Sequence, residues 1–350
     1  MRPVTTPTLS VEDLSVEFKT TEGTARAVNG VSFELYPQET LGIVGESGSG
    51  KSVTVLSLLG LVPQPPARVT GGRAIFQGED LLALEEQDLR RIRGRDIGVV
   101  FQDPNTSLNP VWTIGYQVVE AIRAHDRQVH GIDARKRAAD LLARVGISDP
   151  KSRLDQYPHE FSGGMRQRVG IAIAVANSPQ ILVADEPTTA LDVTTQAQVL
   201  GLLRLAQQET GASTIIITHD LGVVAELADR VAVMYAGTIV EVGDVDTIFH
   251  TPRHPYTIGL LRSLPRADVD EQLVPIPGDP PDATIQPPGC SFRPRCALHR
   301  SRQLCEETAP SLYRISTAHR SACHFHQELA TGAGGHQAEP GQAGPVGRLA

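Results

Sequence analysis

Between residues 8 and 36, apolar side chains at Leu9, Val11, Leu14, Val16 and Phe18, and again at Ala27, Val31, Phe33 and Leu35, are interleaved with polar ones. That near-alternation predicts strands of an antiparallel layer, interrupted near 20–23. The pattern then changes. Thr40 to Val44 is a short apolar run with β-branched residues, the mark of a buried strand, and Val53 to Val62 continues as a helix stopped by Pro63. Turn-forming residues fill 63–78, with Arg73 to Phe76 as a short strand. Leu81 to Arg95 is amphipathic and helix-like, and Ile97 to Phe101 is a further strand. From about Asn105 to Gln156 helices take over, at Ile114–Ala124 and at Asp133–Val145, the latter capped near Asp133 and ended by Gly146. Strands return at Ile181–Asp185, Thr214–Thr218, Val231–Tyr235 and Thr238–Val242, the last two joined by the two-residue turn Ala236-Gly237. A helix from Val193 to Gln208 separates the first two. The fold class is α/β, with an antiparallel β subdomain near the start and a helical insertion at about 105–178.

Where the Thr40 strand meets the Val53 helix the chain reads Gly45-Glu46-Ser47-Gly48-Ser49-Gly50-Lys51-Ser52. G-x-x-x-x-G-K-S between a strand and a helix is the spacing of a phosphate-binding loop. Glycines let the backbone wrap a polyphosphate with its N–H groups turned inward, and the helix N-terminus adds partial positive charge beneath the anion. Lys51 is expected to reach the β- and γ-phosphates and the Ser52 hydroxyl to ligate Mg²⁺. Two acids, Asp185 and Glu186, end the Ile181 strand. Asp185 is the candidate to hold Mg²⁺ and Glu186 to polarise an attacking water. Gln102 follows the Ile97 strand, within reach of Mg²⁺ or that water, and His219 ends the Thr214 strand, where it could contact the γ-phosphate and orient Glu186. Ser162-Gly163-Gly164 opens an Ala/Ile/Val-rich helix, a second anion-binding arrangement that could serve a neighbouring subunit's nucleotide. Phe18 offers a face for a nucleobase, or simply a core aromatic.

Composition narrows the class. The chain has 350 residues, 40% hydrophobic and 21% charged, with net charge −8, which argues against a general nucleic-acid binder. No stretch approaches the length of a membrane-spanning helix, and the first residues lack a signal-peptide core. A cytosolic protein that reaches a membrane only by docking on other subunits is expected.

Taken together these motifs resemble the ATP-binding subunits of ABC transporters over about residues 8–250: Walker A (Gly45 to Ser52), Q-loop (Gln102), signature (Phe161 to Arg168), Walker B (Ile181 to Asp185) with Glu186, D-loop (Ala190-Leu191-Asp192) and H-loop (His219). The resemblance implies a RecA-like core, ATP and Mg²⁺ as ligands, and head-to-tail pairing in which Ser162, Gly163 and Gly164 clamp ATP on the partner's Walker A. Asp192 lies at the same contact, and Phe18 matches the aromatic that stacks on adenine. Met165 stands where the commonest signature has Gln. Further on, His254-Pro255-Tyr256-Thr257, Pro277-Gly278-Asp279-Pro280-Pro281 and Gly289-Cys290-Ser291-Phe292-Arg293-Pro294-Arg295-Cys296 resemble the C-terminal extension of dipeptide and oligopeptide importer ATPases. Such subunits sit peripherally on the cytoplasmic face of the cell membrane. Their partners are a second ATPase, usually a paralogue, two transmembrane permease subunits and, indirectly, an extracytoplasmic binding protein. Some relatives carry nickel, sugars or glutathione, and a soluble ABC ATPase with a redox-sensing module is the more distant alternative.

All four cysteines, Cys290, Cys296, Cys305 and Cys323, fall behind seven prolines between Pro265 and Pro288, which read as a linker (251–288) separating a small module (289–326) from the ATPase, with a disordered tail at 327–350. Clustered cysteines in a cytosolic chain favour metal over disulfides. Zinc normally wants close C-x2–4-C pairs, absent here, whereas a 4Fe–4S cluster accepts looser spacing. Six Arg against two Glu in the module would offset the cluster's negative charge. Similarity to relatives carrying such a cluster places it ahead of zinc and of reduced core cysteines or disulfides.

Overall fold

The computed structural model describes residues 6–189, 191–264, 275–285, 287–297 and 302–331. Ala190 of the D-loop, part of the linker, and all of the expected tail beyond 331 lie outside the described residues. In chain order the strands and helices begin with β1 (Leu9–Thr20), β2 (Gly23–Leu35), β3 (Thr40–Val44), α1 (Lys51–Leu58), β4 (Ala67–Phe76), β5 (Glu79–Asp80), α2 (Glu86–Ile92) and β6 (Ile97–Val100). The helical insertion holds α3 (Pro104–Ser107), α4 (Ile114–Arg123), α5 (Gly131–Arg144), α6 (Pro150–Arg153) and the start of α7 (Gly163–Ala174). Then come β7 (Ile181–Asp185), α8 (Val193–Thr210), β8 (Ser213–Thr218), α9 (Leu221–Leu227), β9 (Arg230–Tyr235), β10 (Thr238–Asp244), α10 (Val245–His250) and α11 (Pro255–Arg262). The extension adds α12 (Gln303–Glu307), β11 (Tyr313–Arg314) and β12 (Arg320–Ser321).

Two sheets organise these elements. One is antiparallel, in the order β2-β1-β4-β5; the other runs β11-β12-β10-β9-β3-β8-β7-β6. In the second, β9, β3, β8, β7 and β6 are parallel neighbours, so the ends of β3, β8, β7 and β6 all open on one side. Period-two geometry sends alternate side chains of a strand to opposite faces. In β7, Ile181 and Val183 accordingly enter the core shared with the antiparallel sheet and α1, while Leu182 and Ala184 enter the core under the helical insertion. Both faces are covered, which is why β3, β7 and β8 read as nearly unbroken apolar runs.

Several expectations shift in detail. The strand expected over 73–76 extends back to Ala67, because the pairing with β1 shifts register between Glu12 and Ser15 and again between Ser15 and Val16, carrying the chain through Gly72 and Gly71. The helix expected from Leu81 divides into a 3-10 turn at Leu81–Ala83, whose first turn is capped by the Asp80 carboxylate accepting from Leu82 N–H, and α2. Helix α5 starts at Gly131, two residues before the expected cap, with Asp133 in its first turn.

The larger correction concerns the C-terminal stretch. Its described parts do not stand apart from the ATPase. Part of it is helix α11, Ala283 accepts from the Arg26 N–H at 2.9 Å, and β12 pairs with β10 through Glu241 and Val242. Phe292 and Cys296 are buried in one cluster with Val44, Tyr235, Ile248 and Tyr256. A segment this short cannot build its own core, and it completes that of the main sheet instead. Within the stretch expected as a tail, Glu328–Thr331 forms a 3-10 turn.

Candidate active site

The phosphate loop has the backbone its sequence calls for. Gly50 caps α1 at φ 97°, and a Cβ there would stand 2.2 Å from the Ala27 carbonyl oxygen, so only glycine fits. Lys51 is buried, and its Nζ donates to the carbonyls of Gly45 (2.8 Å) and Glu46 (2.9 Å). Burial pulls its pKa down, against the opposing charges of Glu186, Asp185 and Glu46. Ser47, Gly48 and Ser49 complete the loop and line a groove of about 790 Å³ shared with the described part of the extension.

Beside the loop, Ser52 Oγ donates to Asp185 Oδ1 at 2.8 Å, joining the two expected Mg²⁺ ligands. Burial raises the Asp185 pKa, and the neighbouring Glu186 charge adds to it. A hydroxyl and a carboxylate side by side form the oxygen donor set that a hard divalent cation takes. One residue on, Glu186 adopts φ 45°, a left-handed conformation uncommon for a side-chain-bearing residue, with its N–H donating to Ile217 O at 2.8 Å. Its carboxylate is held from three directions: Gln102 Nε2 donates at 3.1 Å, Thr189 Oγ1 donates at 2.7 Å, and His219 Nδ1 lies at 3.2 Å. Burial pushes the Glu186 carboxyl up, but the bonds with Thr189 and His219 and the charges of His219 and Lys51 outweigh it and hold its pKa below the ordinary value.

The ends of β3, β6, β7 and β8 thus bring Lys51, Ser52, Gln102, Asp185, Glu186 and His219 into one site. Thr189 was missed by sequence reasoning. Its signal was its spacing, three residues past Glu186 in a turn whose 189 N–H bonds back to the 186 carbonyl at 3.2 Å. Phe18 sits half-buried in β1, opposite Ala25 and Ala67. Glu46 joins through its main chain only, since its carboxylate is taken by Arg295.

Two expected groups lie elsewhere. Ser162 caps α7 by accepting from Met165 N–H at 3.3 Å, and Gly164 packs so near Thr195 that a Cβ would come within 2.7 Å of its methyl group. Asp192 caps α8, accepting from Thr195 N–H at 2.9 Å and Oγ1 at 2.7 Å. Those bonds hold its carboxyl below the ordinary pKa. The start of the signature helix therefore packs on the first turn of α8, which Asp192 caps, and none of the hydrogen bonds described for them reaches the phosphate loop.

Residues 28–189 match the family described as ABC transporter, and residues 240–305 match the Oligopeptide/dipeptide transporter, C-terminal region. Over 323 residues the chain is 52% identical to the Dipeptide transport ATP-binding protein DppD of Bacillus subtilis (strain 168), covering 92% of this chain and 96% of that one. The chain belongs to the ABC transporter ATPase family. It is also 51% identical to the Oligopeptide transport ATP-binding protein OppD of the same strain (89% and 87% covered). To a Putative peptide import ATP-binding protein of Brucella abortus (strain 2308) it is 56% identical (84% and 88%). Among solved structures it is similar to the dimeric post-hydrolysis ATP-binding cassette MJ0796 bound to ADP and Pi, with TM-score 0.61 and 28% identity over 68% of this chain and 98% of that one. As an ABC ATPase it hydrolyses ATP. Among its described residues no helix is long and apolar enough to cross a membrane.

In the extension of this ABC ATPase, Cys290, Cys296, Cys305 and Cys323 are all free thiols and line one small cavity with His254 and His324. Burial raises the pKa of Cys290 and of Cys305 and pushes Cys323 up to about 12, and neighbouring sulfurs add to the rise at each of these three. Disulfides are thus not how the described module is held. Among the described residues no group of three or more His, Cys, Asp or Glu side chains forms a metal-ion site. Of the arginines expected around the cysteines, Arg300 lies outside the described residues; Arg293 and Arg302 act on Cys305, while Arg295 turns to Glu46.

Proposed function

We propose that this ABC ATPase powers an importer of di- or oligopeptides, pairing head to tail with a second ATPase subunit beneath two membrane-spanning permease subunits. The observation that carries the hydrolytic part is the Glu186 carboxylate, gripped by Gln102, Thr189 and His219 beside Lys51, Ser52 and Asp185. In the working cycle the Lys51 ammonium exchanges its bonds to the Gly45 and Glu46 carbonyls for the β- and γ-phosphates of ATP, and the loop N–H groups wrap the phosphate chain. Ser52, Asp185 and Gln102 would hold Mg²⁺, which supplies charge neutralisation on the phosphate oxygens. Glu186, kept ionised by its neighbours, orients the attacking water, and His219 keeps that carboxylate in place. Phe18 would stack on adenine. Ser162, Gly163 and Gly164, set at a helix N-terminus and with no described hydrogen bond to their own loop, would close on ATP in the partner, with Asp192 at the same seam. The peptide cargo rests on the similarity to dipeptide and oligopeptide transport subunits and on the matched C-terminal region.

Glu186→Gln tests this reading. ATP binding should persist while turnover drops by about a hundredfold or more, leaving a closed pair that elutes as a dimer with nucleotide. Wild-type steady-state hydrolysis in that variant removes Glu186 from its role.

For the cysteines we propose a 4Fe–4S cluster: the four thiols come from separate segments to line one cavity, and although they are not set as a metal site as they stand, metal is what would keep such buried thiols deprotonated. The cavity itself is about 10 Å³, room for little more than a water, so the loops carrying the thiols must part to load a cluster. Anaerobically purified protein should carry about four irons per chain by metal analysis, lost in Cys323→Ser. One zinc and no iron, or neither, removes the cluster while leaving the ATPase reading intact.

A further inference from the structure

Glu46 lies inside the phosphate loop, yet most of its polar groups are held from the C-terminal extension. The Arg295 guanidinium takes both carboxylate oxygens, Nη1 to Oε2 at 2.6 Å and Nη2 to Oε1 at 2.9 Å. The Tyr256 hydroxyl accepts the Glu46 N–H at 2.8 Å. The remaining group, the Glu46 carbonyl, accepts from Lys51 Nζ at 2.9 Å. One residue of the loop therefore connects the extension to the ammonium that meets the phosphates.

Arg295 is built to hold this position. Its side chain is 4% exposed, its Nε donates to the Pro277 carbonyl at 3.0 Å, and its guanidinium lies 5.8 Å from the centre of the Tyr235 ring. Glu46 draws its pKa further up, which keeps it charged at any working pH. A fork with both teeth engaged fixes direction as well as distance, which a single ammonium does not. Tyr256 is fully buried beneath the same residue. Arg295 also immediately precedes Cys296, so the 3-10 turn at Arg293–Arg295 carries both the clamp and a wall of the cysteine cavity.

We propose that Arg295 is a positioning residue for nucleotide binding: by fixing the Glu46 carboxylate it holds the phosphate loop in its binding shape before ATP arrives. The inference rests on the ATPase reading of the Lys51 site. Binding to a loop that is only partly in the competent shape is weakened by the fraction that is competent, so losing the clamp acts on affinity more than on the chemical step.

The test uses the full chain with its partner subunits, measuring KM and kcat for ATP hydrolysis and the Kd of a fluorescent ATP analogue. Arg295→Ala should raise KM and Kd by about tenfold while kcat changes by less than about threefold. Arg295→Lys, which keeps the charge and loses the fork, should fall between. Glu46→Gln should weaken binding comparably, and the double variant Arg295→Ala/Glu46→Gln should be no worse than either alone, because both remove one interaction. Should Arg295→Ala not fold, Arg295→Lys and Glu46→Gln decide the matter. Unchanged Kd in folded variants, additive losses, or a fall in kcat at constant KM overturns the proposal. A wild-type complex that hydrolyses no ATP would instead sink the ATPase reading beneath it.

Discussion

At the scale of single residues, the site is governed by what surrounds Glu186. Its pKa lies below the ordinary value because bonds with Thr189 and His219 outweigh burial. In its proposed role beside the attacking water, a Glu186 carboxyl with a depressed pKa stays ionised as the pH falls, so kcat should hold further into acid than an ordinary carboxylate would allow. Thr189→Val deletes the 2.7 Å bond without changing shape much. The Glu186 pKa then rises, and the acid limb of the kcat–pH profile should move to higher pH, with kcat down by about tenfold near neutrality. A profile that does not move would show that Thr189 merely fills space. Thr189 also marks where reading the sequence fell short. Asp185 and Glu186 announce themselves because two acids ending an apolar strand have little structural reason to be there, Lys51 because it completes the G-x-x-x-x-G-K-S spacing, and His219 through the order of the motifs. A threonine in a turn does not.

At the scale of elements, the parallel strands and the two-residue hairpin turn were legible because their signals are local. Period, β-branched runs and an Ala236-Gly237 turn with both residues at positive φ lie within a few positions of one another. Helix α11 was not read as a helix, although His254 marks its start: the His254 Nδ1 accepts from Tyr256 N–H at 3.1 Å, and Pro255 occupies the first turn. This histidine is fully buried, and burial lowers its pKa to about 3. In the unfolded chain it titrates near 6.5, so between 6.5 and 3 the unfolded state binds the extra proton and stability falls with pH. Above 6.5 the His254 contribution is fully present. His254→Asn keeps an acceptor at the cap and removes the titration. Thermal midpoints measured from pH 7 to pH 4 should fall less steeply for this variant than for the wild type, and parallel slopes would assign the acid sensitivity to other groups.

At the scale of the whole molecule, the extension is part of the ATPase rather than an appendage. This could not be read from the sequence, since the deciding contacts join residues far apart in the chain. Arg295 meets Glu46 across 249 positions, and the Arg26 N–H finds the Ala283 carbonyl. Proline content looked like a spacer, but prolines suit equally a segment laid flat along a surface, where fewer N–H groups need partners. Buried polar groups tie the same seam. Glu241, with no solvent exposure, accepts from the N–H groups of Arg253 and His254 and lies 2.8 Å from His319 of the extension.

The pairing of β12 with β10 has one more effect. Without it, β10 would end the large sheet as a bare row of backbone donors and acceptors, the surface on which chains stick to one another. Instead the outermost strand is β11, two residues long and bearing Arg314, a poor template for addition. A chain ended after residue 297 would therefore keep every residue of the proposed ATP site and still be expected to precipitate during expression, whereas the full chain should stay dispersed under the same conditions. Light scattering of the two would read the difference, and equal solubility would mean that β10 is protected in some other way.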